Sequence, residues 1–88
     1  MNLEHWRNEV DKVDESIMKL LLERADITRK IGEEKRRSGL DLQDARREAE
    51  VMQRLQSING GRLREDLLEA AYRSIIEMCT EVQREKQA

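Results

Sequence analysis

The sequence predicts an all-α fold, with one very long helix leading two shorter ones and a core shared with another chain. Three features carry that expectation. Charged residues make up 41% of the 88 residues, and 17 basic side chains are matched by 19 acidic ones. Balanced charge over regularly spaced apolar positions is the pattern of long solvated helices, not of a one-signed disordered tail. Proline is absent, so no residue forbids a helix from running on. The third feature is a stripe. Leu3, Trp6, Val10, Val13, Ile17, Leu20, Arg24, Ile27 and Ile31 follow one another at alternating intervals of three and four, which is a heptad seam. Aromatic residues are only 2% of the chain. So short a chain with so few large side chains builds a thin core alone, and an oligomer remedies that.

The first helix is expected over about residues 3–37. It ends before Ser38-Gly39, where glycine suits a C-terminal cap. At 1.5 Å per residue it is roughly 50 Å long, more than a globule of this size is wide, so another chain must cover part of it. A loop, SGLDLQD, follows. Asp44 is a suitable N-cap for a second helix over about residues 45–58, whose stripe is Val51, Leu55 and Ile58, with Met52 beside it. The NGGR stretch at 59–62 is a breaker. A third helix is expected over about residues 63–85. Its stripe is Leu68, Ala71 or Tyr72, Ile75, Cys79, then Val82 and Gln83. The whole chain, 1–88, reads as one domain.

Composition also excludes. A net charge of −2 gives no basic face for nucleic acid. The single cysteine, Cys79, forms no intrachain disulfide and fits a reducing compartment. There is no membrane-span run and no signal-peptide pattern, so a cytoplasmic location is expected. The lone His5 has no neighbours that suggest catalysis. No metal-ligand cluster, Gly-rich phosphate loop or Ser/His/Asp set occurs, which argues against covalent or metal chemistry.

The informative residues are polar ones inside apolar faces. Arg24 stands in the seam of the first helix. It either snorkels or pairs to fix register, or it binds an anion. Lys35 lies 11 residues on, three turns away and roughly 16 Å along the axis, on the same side. The two could clamp a small dianion, and the arginine fork suits a carboxylate. Arg7 is 17 residues before Arg24, about 25 Å off, too far to share a small ligand within one chain. In an antiparallel two-fold dimer crossing near Glu15 and Ser16, Arg7 of one chain lands near Arg24 of the other; a plain surface Arg7 is the alternative. Asp44 and Glu48 extend the second helix's apolar face toward its start, either as a capping pair or as acceptors for a hydroxyl. Arg47 is either a surface residue or an orienting partner for those acids. Gln83 either ends its stripe or aims a neutral donor at an oxygen. Cys79 reads as a small buried apolar residue sooner than a nucleophile.

With these positions in view, the stretches RNEVDKVDESIMKLLLERADITRKIGEEK, DARREAEVMQRL and IIEMCTEVQ resemble the all-helical class of chorismate mutases over about residues 3–83. The shared pattern is an Arg opening the first helix, ER in its middle, GxxK about ten residues on, DxxRE opening the second helix and a Gln closing the third. The resemblance implies a three-helix protomer in an intertwined homodimer. It implies the Claisen rearrangement of chorismate to prephenate, on the route to phenylalanine and tyrosine, with no cofactor. Carried over by position, Arg24 and Arg7 of the partner chain bind the two substrate carboxylates. Lys35 and Gln83 donate to the ether oxygen. Glu48, with the backbone around Asp44, receives the ring hydroxyl, and Arg47 supports the acids. Cys79 lines the pocket where some relatives carry serine, and Asp41 and Ala45 stand where many have proline. A fused or associated shikimate-pathway enzyme is the further partner that the resemblance implies. The rivals are isochorismate-pyruvate lyase, which has a similar fold and cationic pocket, and a non-catalytic helical dimerisation module, which leaves the placement of Arg24, Lys35, Glu48 and Gln83 as coincidence.

Overall fold

A computed structural model describes residues 2–85. Residues 1 and 86–88 of the domain expected over 1–88 lie outside the described residues. Three helices follow in order, α1 (Leu3–Arg37), α2 (Ala45–Asn59) and α3 (Glu65–Arg84), with no strand among the described residues.

Local chemistry sets most of the ends. The Asn2 side chain accepts from the backbone N–H of His5 at 2.9 Å and starts α1. Lys35, Arg36 and Arg37 close it, where cations suit the helix dipole. Gly39 then turns the chain with φ +69°. The Asp44 carboxylate accepts from Arg47 N–H at 3.1 Å and caps α2. Gly60, with φ +56°, ends it. α2 runs to Asn59 instead of Ile58 and α3 stops at Arg84 instead of Glu85, differences within the range over which helix ends fray. The start of α3 differs for a specific reason. Leu63, expected in the helix, is held outside it by Asn59, whose side chain accepts from Leu63 N–H and donates to Leu63 C=O, both at 2.9 Å. Those local bonds satisfy the backbone in a turn and compete with the helix. Arg64 becomes the N-cap, and its carbonyl accepts from Leu68 N–H at 3.0 Å.

α3 packs on α1 and on α2, while α1 and α2 make no close backbone approach to each other. A space therefore opens between them, floored by α3. The core is thin, as expected: Ile76 and Cys79 are its buried apolar residues, with Thr28 and Gly32 of α1 beside them. At Gly32 the two helices come close together. A Cβ added there would lie 3.1 Å from Gln83 Cβ and 3.2 Å from Gln83 Cα, so a larger residue would push α3 outward.

The N-terminal half of α1 packs on nothing within the chain. From Leu3 to Leu20 every residue except Glu9 is exposed, including stripe residues Trp6 (52%), Val13 (57%) and Leu20 (63%). Ile58 of the α2 stripe is also exposed. The protomer measures 56 × 32 × 15 Å, with a radius of gyration of 16.1 Å, against about 12 Å for a compact chain of this length. Burying an aliphatic side chain is worth about 1.5–3 kcal/mol. The exposed stripe thus withholds much of the stabilisation on which a small domain depends.

Candidate active site

The space between α1 and α2 is a cavity of about 240 Å³. Seven of the eight residues singled out in the sequence line it. Arg24 and Lys35 come from α1, Arg47 and Glu48 from α2 with Asp44 as its cap, and Cys79 and Gln83 from α3. Arg7 does not line it; it sits on the projecting half of α1, about 25 Å from Arg24 by helical rise.

Arg24 is half-buried, and its guanidinium carbon lies 5.6 Å from the centroid of the Tyr72 ring, within cation–π range. Burial opposes its charge, but polar contact with Cys79 and Tyr72 more than offsets that, so its pKa lies above the ordinary arginine value. Arg24 is therefore a permanent cation held at the cavity wall. Lys35 Nζ donates to Leu42 C=O at 2.9 Å. That bond folds the 38–44 loop over the end of the cavity and brings half-buried Leu42 into the wall. An ammonium has three donors, so Lys35 keeps capacity for a ligand.

The acids differ in their engagement. Asp44 spends an oxygen on capping α2, whereas Glu48 is half-buried in the wall. Arg47 donates its backbone N–H to Asp44, and its guanidinium pairs with Glu50 at 3.6 Å. The support that Arg47 gives Asp44 thus runs through its main chain. Gln83 is buried at 9% exposure, and its Oε1 has no hydrogen-bond partner. An orphaned buried polar atom costs about 1–3 kcal/mol. An amide carries both an acceptor and donors, and a half-turn exchanges them. Its polar end is thus uncommitted at the cavity wall.

The sequence reading missed Thr28 and Thr80, which also line the cavity. Thr28 is one turn past Arg24, and Thr80 lies between Cys79 and Gln83, so helical spacing was the available signal. Both hydroxyls donate back to their own helix, to Ala25 and Ile76 carbonyls at 2.9 Å. Ile27, Ile31, Val51 and Ile76 supply apolar wall. The cavity thus offers cations, one free carboxylate and a neutral amide among apolar side chains, which suits a small anion that also carries a hydroxyl. Among the described residues no group of three or more His, Cys, Asp or Glu could hold a metal ion, and no helix is long and apolar enough to cross a membrane.

Comparison with known proteins identifies the family. The family model for chorismate mutase type II matches residues 6–84. The bifunctional chorismate mutase/prephenate dehydratase of Aquifex aeolicus (strain VF5) is 34% identical over 86 residues, covering 93% of this chain and 24% of that protein. The chain thus spans about a quarter of that curated relative's length. A solved structure of a conserved hypothetical protein from Pyrococcus furiosus superposes with a TM-score of 0.76 at 32% identity, covering 92% of this chain and 93% of that one. The family match extends over every residue that lines the cavity, the seven singled out in the sequence among them, and the chain belongs to the chorismate mutase type II family of enzymes.

Proposed function

We propose that this chain converts chorismate to prephenate by binding and preorganisation alone. The supporting observation is the gathering of Arg24, Lys35, Glu48 and Gln83 around one cavity from three helices. The rearrangement is intramolecular: one C–O bond breaks and one C–C bond forms within the same molecule. It asks the protein for no nucleophile and no general base. It asks for the enolpyruvyl arm to be held over the ring, and for the charge developing on the ether oxygen to be met. Arg24 holds one substrate carboxylate with its fork. Lys35 and the Gln83 amide donate to the ether oxygen, where they act more strongly in the transition state than before it. Glu48 and the main chain at Asp44 receive the ring hydroxyl. Cys79 forms wall.

The second carboxylate needs a further cation, and Arg47, the remaining cation of the cavity wall, pairs with Glu50. We assign that role to Arg7 of a second copy, in a homodimer whose long helices pair through the exposed stripe. The apolar exposure from Leu3 to Leu20 supports this pairing, and symmetry makes two composite sites per dimer. Prephenate then passes to a further enzyme of the same route, fused or separate.

Purified protein mixed with chorismate should yield prephenate. Pyruvate released from isochorismate, with chorismate left intact, would identify a lyase instead, and silence on both substrates from a folded dimer would leave a dimerisation module. The shared site has its own test. Arg7→Ala and Arg24→Leu homodimers should each be nearly inactive. Unfolded together and refolded at equal amounts, they should regain about a quarter of wild-type activity, because half the dimers are mixed and each mixed dimer has one intact site. An Arg7→Ala homodimer as active as the parent would place Arg7 outside the site, and no regain from two inactive parents would overturn its sharing between chains.

A further inference from the structure

We propose that Arg36 is a positioning residue for the reaction, acting through Gln83. The inference rests on the role of Gln83 given above. Gln83 occupies the next-to-last position of α3. The last turn of a helix lacks partners for its carbonyls and frays easily. A side chain required to meet one oxygen within a few tenths of an ångström is poorly served there unless something outside the helix holds it.

α1 provides that hold along one face. Arg29, Gly32 and Arg36 are spaced by three and four residues, so they share a side of the helix. Arg36 Nη2 donates to the Gln83 backbone carbonyl across 47 residues of sequence. Gly32 admits the Gln83 backbone, whose Cα lies 3.2 Å from where a Cβ would stand. Arg29 reaches Glu85, just past the helix, at 3.5 Å. The last turn of α3 is therefore held at three points by α1, the helix that also carries Arg24 and Lys35. Arg36 does not line the cavity. It sets the height and rotation of Gln83 relative to Lys35, so that both donors converge on one atom. Its bond also satisfies a carbonyl at a helix C-terminus, where a cation is favourable.

The test is a double-mutant cycle read in kcat and KM, on variants whose helix content and dimer state match the parent. Arg36→Ala should lower kcat about tenfold with KM little changed, as expected for a displaced transition-state donor. Arg36→Lys, which keeps a donor for the carbonyl, should recover most of the loss. On a Gln83→Ala background Arg36→Ala should cost nothing further, because the group it positions is gone. A full tenfold loss on that background overturns the proposal, since the effect then bypasses Gln83. An Arg36→Ala enzyme as fast as the parent, beside a slow Gln83→Ala, overturns it and leaves the role of Gln83 standing. A Gln83→Ala enzyme as fast as the parent removes the role of Gln83 itself, and the brace falls with it.

Discussion

Arg24→Leu is expected to lower kcat/KM by about three orders of magnitude while the protein stays folded. On the proposed role, the lost interaction is a bidentate, charge-assisted pair with a substrate carboxylate. Hydrogen bonds to charged groups are worth about 1.5–3 kcal/mol each, so two give about 3–6 kcal/mol, or roughly 10²–10⁴ in rate. Stability should move little, and upward. The half-buried guanidinium gives up a cation–π contact with Tyr72, worth about 0.5–1 kcal/mol at a partly exposed site. In exchange, a stripe flanked by Leu20 and Ile27 gains an apolar side chain, and a cation that resists burial is gone. Steady-state kinetics with thermal melting checks both halves. A protein that melts higher and still turns over within tenfold of the parent would show that Arg24 only serves the seam.

Lys35→Ala should cost about 10²–10³ in kcat, the range for removing one preorganised donor to a developing oxyanion. KM should change less, because the ether oxygen carries little charge before the transition state. This substitution also removes the bond from Lys35 to the Leu42 carbonyl, so faster proteolysis of the 38–44 loop is expected. The two effects can be separated. A Leu42→Gly variant keeps the carbonyl but removes the side chain that anchors the loop, and faster cutting of its loop at a normal kcat would confine the kinetic role to the ammonium. A Lys35→Ala enzyme with kcat within tenfold of the parent would remove Lys35 from the ether oxygen.

Gln83 was readable in the sequence for the same reason as Arg24, as a polar residue on an apolar helical face, and Lys35 because it lies three turns past Arg24 on the same side. Thr28 and Thr80 carried no such contrast. Threonine is common on both faces of a helix, and only their placement in the cavity wall makes them notable. Tyr72 was legible as one of two candidates for a stripe position, but not as the ring facing Arg24. The late start of α3 was hidden because Asn59 bonds both backbone groups of Leu63 from outside the third helix.

By itself the sequence determined the helices, their approximate ends and the faces on which polar residues interrupt apolar ones. Those properties depend on backbone periodicity and on caps that act within about one turn. It also determined that the first helix is long and carries an apolar stripe along one side. Only the tertiary structure decided that α1 and α2 separate over α3 and leave a cavity, and that Gly32 lets α3 close on α1. It alone brought Arg36 to a carbonyl 47 residues away. The physical reason is one of range. Periodicity is written into consecutive residues, whereas the meeting of two distant side chains depends on how whole helices pack, and the same local pattern is compatible with many packings.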